Sequence, residues 1–218
     1  MSELEFIRLK LKTKNVAIGE RIKRGTFRPC VETIPTSTLM GCFKESFGFS
    51  DTVAIGIFVK ETYSKTTFTY APFDSMLETA KLPLTLECLV PLEGRENIEA
   101  DIFVCTTQEA NKVFIKNNGP WTVGLGALKT KGFGQSILKL IDIVRPKFKT
   151  GYLLGNMREN EAEHFGIKIP DNIICPRYGY LFRPDQYRIS GKYDRALFTG
   201  TILEGPDFLI GEEYQYDY

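Results

Sequence analysis

The chain has 218 residues, of which 43% are hydrophobic and 25% are charged, and 28 Lys and Arg against 27 Asp and Glu give a net charge of +1. These values exclude a disordered or collagen-like chain, and the near-neutral balance excludes a wholly electrostatic binder of nucleic acid. The charge is uneven, however. Residues 1–149 hold 21 Lys and Arg and 16 Asp and Glu, a net +5, whereas residues 150–218 hold 7 and 11, a net −4. The first part of the chain therefore has charge available for a basic surface.

The first residues are charged from Glu3 onward and contain no apolar h-region, so we expect no secretory signal. No run approaches the roughly 18 apolar residues that a membrane span needs. The five cysteines are widely spaced and form no CxxC pair, which favours free thiols over a zinc site. We therefore predict a cytoplasmic protein with no metal, no small-molecule cofactor and no membrane partner.

The chain opens with a clear period of two. Residues 4–14 alternate apolar and basic side chains, which predicts a strand with one buried face and one strongly cationic face. Residues 17–28 mix glycine with basic residues and predict a basic loop or hairpin. Residues 35–38 predict a helix start with a hydroxyl at the N-cap, and Gly48 predicts its end. Further strands are predicted over residues 52–60, 66–70, 84–90, 101–105, 121–124 and 136–144, and a short helix over residues 108–114.

Beyond Pro146 the predicted strands are shorter, over residues 178–182, 196–203 and 208–210. We place a boundary near residue 150, between a first domain (1–149) and a β-rich region (150–218) with an acidic tail. Glu159, Glu161 and Glu163 alternate in a polar stretch and predict a solvated face. The order of elements predicts an α+β fold: a ferredoxin-like antiparallel sheet with helices on one face.

Residues 124–134, GLGALKTKGFG, are the most specific feature of the sequence. Two Gly-hydrophobic-Gly pairs flank a basic centre, and glycine allows positive φ and close backbone approach. Leu128 stands where a Walker loop needs glycine, so that motif is excluded. A flexible, cationic turn of this kind fits a sugar–phosphate chain. The alternative, a glycine-bearing hairpin without special chemistry, has about equal weight from the residues alone.

This loop resembles the signature glycine-rich loop of the RAMP superfamily of CRISPR-associated proteins. Residues 33–44, TIPTSTLMGCFK, are similar to the start of the first helix in RAMP subunits of type III effectors. Both motifs occur in the family's order, and the resemblance covers about residues 4–145. It implies a ferredoxin-like (RRM-like) core that binds CRISPR RNA together with other subunits of an antiviral surveillance complex.

Three roles within that family remain open: a cap on the 5′ handle of the guide, a backbone subunit that polymerises along the guide, and a metal-independent endoribonuclease that processes the precursor. The single histidine, His164, follows the glycine-rich loop and has no obvious partner base. Between residues 17 and 33 the only acids are Glu20 and Glu32, whereas target-cutting backbone subunits use an early aspartate. We therefore favour a non-catalytic subunit that holds the 5′ handle. An unrelated β-rich ligand-binding protein is the remaining alternative.

The predicted RNA contacts fall in three groups. Residues of the glycine-rich loop would contact phosphates or stack on a base, and basic residues before the first helix would hold the guide or an adjacent subunit. Hydroxyls and free amides at the helix start would bind a phosphate, or would simply cap the helix. The residues are Gly124, Gly126, Lys129, Thr130, Lys131, Gly132, Phe133 and Gly134; Arg21, Lys23, Arg24 and Arg28; and Ser37 and Thr38.

Overall fold

The structure is a computed structural model that describes residues 4–19, 27–49, 52–76, 78–117, 119–170, 176–184 and 190–212. Its helices are α1 (Thr36–Phe47), α2 (Gln108–Ala110, continued as a π-helix over Asn111–Ile115) and α3 (Glu159–His164). Its strands are β1 (Phe6–Thr13), β2 (Phe27–Arg28), β3 (Thr33–Ile34), β4 (Ala54–Phe58), β5 (Tyr63–Tyr70), β6 (Phe73–Asp74), β7 (Thr79–Ala80), β8 (Leu84–Pro91), β9 (Ile98–Cys105), β10 (Trp121–Gly124), β11 (Gln135–Val144), β12 (Phe148–Leu153), β13 (Met157–Arg158), β14 (Tyr178–Pro184), β15 (Gly191–Leu197), β16 (Ile202–Pro206) and β17 (Ile210–Gly211).

The central sheet has the strand order β10-β11-β1-β9-β4-β3, and every neighbouring pair is antiparallel. The chain passes through its main elements in the order β1-α1-β4-β9-α2-β11. The register places Leu9 opposite Ile102 of β9 and Leu140 of β11. Because opposite residues share a face of a sheet, the apolar positions of β1 and its neighbours line up on one side.

Helices α1 and α2 cover that side and form the first core. Leu39, Cys42 and Phe43 recur at the three- and four-residue spacing that puts them on one face of α1. Phe43 packs against Phe114 of α2 with ring centroids 5.3 Å apart. The strands contribute Leu9 and other fully buried aliphatic side chains to the same cluster. The predicted first helix is thus confirmed, and its C-cap is Gly48 in the left-handed conformation, as the sequence indicates.

The C-terminal region covers one end of the opposite side and forms a second core. Phe6 of β1 stacks on Phe165 at 5.6 Å, and Phe103 of β9 stacks on Phe208 at 3.7 Å with an interplanar angle of 6°. Leu153, from β12, is buried in the same cluster. This core therefore draws on residues from both ends of the chain.

A separate sheet, β2-β8-β5, projects from the region between α1 and β9. Strands β5 and β8 pair antiparallel over their full length, from Tyr63 opposite Pro91 to Tyr70 opposite Leu84. The small pair β6 and β7 lies at the far end of this hairpin. Three apolar side chains near that end are exposed: Phe73 at 69%, Met76 at 92% and Leu82 at 79%.

Two expectations for the C-terminal region are wrong. The strand predicted over residues 196–203 is two strands, because the chain turns through Gly200, at φ +84°, between β15 and β16. Residues 207–209 form a 3-10 turn, and only Ile210–Gly211 pair as a strand. Among the described residues, no helix is long and apolar enough to span a membrane.

Candidate nucleic-acid interface

The glycine-rich loop joins β10 to β11, and its two ends are held together by backbone contacts. The Leu125 amide donates to the Gly134 carbonyl at 2.8 Å. A Cβ on Gly134, at φ +74°, would lie 1.7 Å from the Leu125 oxygen, so only glycine fits there. Gly126, at φ +76°, likewise leaves no room for a Cβ, which would lie 2.5 Å from the Ala17 oxygen. Backbone packing thus closes the two ends of this loop.

The basic centre of the loop is a single 3-10 turn over Lys129–Lys131. The Lys131 amide donates to the Leu128 carbonyl at 2.8 Å, and Leu128 itself takes a positive φ of 58°. This turn leaves Thr130 and Lys131 exposed. A Cβ on Gly132 would meet no atom within 4 Å, so glycine is favoured here by the positive φ of 85° and not by a close contact.

Residues 15–18, which follow β1, anchor the loop. The Gly134 amide donates to the Asn15 carbonyl and the Ala127 amide to the Ala17 carbonyl, both at 2.8 Å. The Ile18 carbonyl accepts a hydrogen bond from the Val31 amide at 2.7 Å, which joins the two ends of the predicted basic loop. Residues 15–18 thus make hydrogen bonds both to the glycine-rich loop and across the ends of the basic segment. Arg21, Lys23 and Arg24 lie outside the described residues.

Aromatic side chains connect the glycine-rich loop to the projecting hairpin. The Phe133 ring lies 5.3 Å from the ring of Phe68 on β5, and Phe68 stacks against Tyr70 at 6.0 Å with an interplanar angle of 27°. Leu86 of β8 is opposite both Phe68 and Arg28, so these side chains share one face of the sheet. All three aromatic side chains are partly exposed. We call Phe133, Phe68 and Tyr70 the aromatic platform.

Arg28 is the predicted basic residue that the structure brings to this face. Its Nε is buried and has no hydrogen-bond partner among the described residues. The platform members Phe68 and Tyr70 were not predicted as site residues. Their period-two spacing indicates that the two rings share one face of a strand, but nothing in the sequence places that face beside the glycine-rich loop.

The two lysines of the loop differ in their surroundings. Lys129 forms an ion pair with Glu45 of α1, and the two side chains are 41% and 63% exposed. Within the part of the chain that the structure describes, Lys131 has no acidic partner. An exposed ion pair of the Lys129 kind is worth under about 1 kcal/mol. Lys131 therefore presents an unpaired charge to a phosphate, whereas Lys129 would first have to give up this weak pair.

The cationic face of β1 is present but paired. Lys10 lies 3.2 Å from Glu99 and 3.5 Å from Asp101, Lys12 lies 3.2 Å from Glu99, and Arg8 lies 3.3 Å from Asp101. Partial burial raises the pKa of Glu99, but hydrogen bonds from Lys12 and Lys10 outweigh it, so the pKa lies below its usual value. The acids of β9 largely offset this face.

The start of α1 differs from the predicted cap. The N-cap residue is Pro35, whose carbonyl accepts from the amides of Thr38 and Leu39, and no side chain caps the helix. The predicted hydroxyl cap is wrong because the helix begins at Thr36, one residue earlier than a capping Thr36 would require. Ser37 is exposed and Thr38 is partly buried. Ser37 lies about 12 Å along the helix axis from Glu45, so the structure does not bring this helix start to the glycine-rich loop.

The acidic stretch before His164 forms α3, in which Glu163 is exposed and Glu159 partly exposed as predicted, whereas the expectation is wrong for Glu161. Glu161 is buried with Arg158, and their side chains make an ion pair of 2.6 Å at 7% and 8% exposure. The Glu161 carboxylate also accepts from the Arg158 amide at 2.9 Å, which completes a capping box. His164 is exposed at the end of the helix. Among the described residues, no cluster of His, Cys, Asp and Glu is arranged to hold a metal.

No family model and no curated protein matches this chain. Among solved structures, it resembles a chain in "Cryo-EM structure of the Type III-B Cmr-beta bound to cognate target RNA and AMPPnP, state 1", with a TM-score of 0.55 at 12% identity over 90% of this chain and 86% of that chain. A chain of the same assembly bound to cognate target RNA gives a TM-score of 0.53 at 11% identity over the same shares. A chain of a "CRISPR RNA-guided surveillance complex" gives 0.49 at 12% identity, over 97% and 95%.

The first two likenesses bear on the fold alone. They confirm a mixed α/β fold with mostly antiparallel sheets, and they confirm the resemblance to CRISPR-associated proteins at the level of that fold.

Proposed function

We propose that this chain is an RNA-binding subunit of a CRISPR effector complex and that the guide RNA crosses its glycine-rich loop. The observation that carries the proposal is the aromatic platform beside Lys131. Single-stranded nucleic acid is commonly bound by cations that follow the backbone and aromatic rings that stack on bases. The fold likeness to a chain of an RNA-bound Type III-B assembly supports the same function. We propose, as part of the same function, that the protein is located in the cytoplasm.

We also propose that residues 1–149 form a ferredoxin-like core and that residues 150–218 form a second, β-rich region. The β-α-β-β-α-β order and the antiparallel arrangement β11-β1-β9-β4 support the ferredoxin-like core. In this arrangement the glycine-rich loop immediately precedes the last strand, β11. The loop therefore lies at an edge of the sheet, next to the projecting hairpin.

Two kinds of interaction would bind the RNA: stacking of bases on the aromatic platform, and contacts from neighbouring polar and basic side chains. Phe133, Phe68 and Tyr70 would offer ring faces to unstacked bases, each worth about 1–3 kcal/mol. Lys131 and Thr130 would contact a phosphate on the adjacent turn. Arg28, which is partly exposed on the same face of the hairpin sheet, would donate from its guanidinium to a phosphate or a base edge.

Within this function we propose the non-catalytic subunit that holds the 5′ handle. Its support is the sequence pattern: a family-like core followed by a smaller β-rich region, without an early-loop aspartate. The backbone subunit and the metal-independent endoribonuclease are the alternatives. The exposed and isolated position of His164 favours the non-catalytic function over the nuclease.

The test is to co-express the chain with its CRISPR array and partner subunits, purify it and sequence the bound RNA. We expect small RNAs with a common 5′ end. The Phe68→Ala and Phe133→Ala variants should each bind RNA about 5- to 100-fold more weakly. Tyr193→Ala, which removes an exposed aromatic side chain in β15, is the control and should leave the affinity unchanged. RNA with random ends, or no RNA, would overturn the proposal.

The nuclease alternative is tested separately with the pure chain. Labelled repeat RNA is incubated with the protein in the presence of a metal chelator. We expect intact RNA. Cleavage at a single site in the repeat would replace the handle-holding function with the processing function.

A further inference from the structure

The small sheet β13-β15-β14 of the C-terminal region carries a group of aromatic side chains on one face. Strand β14 has Tyr178, Tyr180 and Phe182 at every second position, so their side chains point to the same side. The register places Arg195 of β15 opposite Tyr180 and Tyr193 opposite Phe182. The rings of Phe182 and Tyr193 lie with their centroids 5.4 Å apart. We call these five residues the tyrosine face.

The tyrosine face is exposed, whereas the other face of the same strands is packed. Tyr178 is 40% exposed, Tyr180 67% and Tyr193 54%. On the other face Ala196 of β15 is fully buried, and Arg158, opposite it on β13, is 6% exposed. Packing on one side therefore fixes the strands, and the rings on the outer side would gain free energy if a partner buried them.

The charge of the tyrosine face disfavours nucleic acid as that partner. Its single cation, Arg195, lies with its guanidinium 3.9 Å from the centre of the Tyr178 ring and 3.3 Å from the Glu159 carboxylate. A chain of phosphates needs several cations along its path, and this face offers one that is already compensated. Exposed tyrosine and arginine with little free charge are instead the composition of the centre of a protein interface.

The shape of the tyrosine face fits a linear segment of protein. Strands β14 and β15 pair over seven residues of β14, which gives a strip about 24 Å long and about 10 Å wide. The area of this strip, about 240 Å², is far below the roughly 800 Å² that each partner buries in a stable interface between folded proteins. The face is therefore too small to hold a second copy of this chain, whereas an extended segment follows such a strip.

The side chains of the strip favour a segment in the polyproline II conformation. Such a segment has no internal hydrogen bonds, so its carbonyls are free to accept them. The tyrosine hydroxyls and the Arg195 guanidinium are donors, and proline-rich segments bind to surfaces lined by aromatic rings. A partner that added a β-strand would bind at the edge of a sheet and not across its face.

We infer that the tyrosine face is a docking site for a proline-rich, extended segment of a partner protein. The segment lies along β14 and β15, with proline rings on the tyrosine rings and carbonyls toward the tyrosine hydroxyls and Arg195. The site is on a different sheet from the aromatic platform, and the inference does not depend on the RNA-binding function.

A labelled ten-proline peptide tests the inference by fluorescence anisotropy with the full chain. It should bind at least about tenfold more tightly than a glycine-serine peptide of equal length, which is not preorganised. Tyr180→Ala/Tyr193→Ala should weaken binding about tenfold or more, and Tyr180→Phe/Tyr193→Phe, which keeps the rings, should weaken it less. Unchanged denaturant unfolding of both variants would report an intact fold. Equal binding of the two peptides, or no loss in the double alanine variant, would overturn the inference.

The same variants distinguish this site from other binding surfaces. Phe68→Ala, in the aromatic platform, is the matched control and should leave peptide affinity within about twofold. A larger loss would assign the peptide to the platform and overturn the inference. The double alanine variant should bind a ten-nucleotide single-stranded RNA as tightly as the unchanged chain does. Weaker RNA binding would assign the tyrosine face to nucleic acid, and a dimer that dissociates in this variant would assign it to a second copy; either result would overturn the inference.

Discussion

Two cationic regions of this protein, the outward face of β1 and the turn of the glycine-rich loop, differ in what surrounds their charges. On β1, Arg8, Lys10 and Lys12 face Glu99 and Asp101 of the adjacent strand at 3.2–3.5 Å. In the loop, backbone hydrogen bonds hold the turn, and Lys131 has no acidic neighbour among the described residues. Basic residues alone therefore do not mark a binding surface, because a partner about 90 residues away in the chain decides whether a charge remains available.

The largest effect should come from breaking the loop itself. Gly134→Ala places a Cβ 1.7 Å from the Leu125 oxygen at a positive φ and should lower the free energy of unfolding by more than about 3 kcal/mol. Gly132→Ala is the matched control, because its Cβ meets nothing within 4 Å, and should cost about 1–2 kcal/mol for its positive φ. Denaturant unfolding measures both. Equal losses would show that the closed ends do not stabilise the loop.

A smaller effect separates the two cationic regions in binding. Lys131→Ala should weaken binding of single-stranded guide RNA about tenfold, or about 1.4 kcal/mol, and lower the salt dependence by about 0.7 per lost phosphate contact. Lys12→Ala removes the same charge from a side chain paired with Glu99 and should leave affinity within about twofold. Binding isotherms at several salt concentrations measure both. A larger loss from Lys12→Ala would assign RNA to the strand face.

The smallest effect concerns the paired face and pH. The lowered pKa of Glu99 means that its ionised form stabilises the folded chain above the ordinary value of 4.5 and that this stability is lost as pH falls through the folded pKa. Glu99→Gln should therefore cost under about 1 kcal/mol at pH 7, and the difference should shrink steadily as pH falls below 4.5. Unfolding curves over a series of pH values from 7 downward measure it. A difference that does not change with pH would point to packing instead of charge.

Regular elements with strong periodicity could be predicted from the sequence. The alternation in β1, the apolar face of α1 and the strands predicted within residues 1–149 correspond to observed elements within a few residues. The first-helix cap was predicted wrongly, because a row of hydroxyl residues favours a side-chain cap, whereas the helix starts directly after Pro35. Glu161 was misjudged because its partner Arg158 becomes adjacent only when α3 forms.

The candidate site was predicted in part. The glycine-rich loop and Arg28 follow from local composition, although the hydrogen bonds that anchor the loop come from Asn15 and Ala17, far away in the sequence. The aromatic platform could not be predicted, because it forms only where the hairpin strand β5 passes the loop. Local sequence thus identifies charged and glycine-rich segments, whereas tertiary pairing decides which of them stay open to a ligand.

The stacking of Phe6 on Phe165 also has a consequence for the order in which the chain can fold during synthesis. Strand β1 is synthesised before its partners on the second core, which follow roughly 160 to 200 residues later in the chain, so much of its burial is non-local. Until then Phe6, Ile55 and Phe103 present an apolar surface on the growing chain. A ribosome-bound or truncated chain that ends near residue 149 would keep that surface open, and it would be a substrate for chaperones and a source of aggregation.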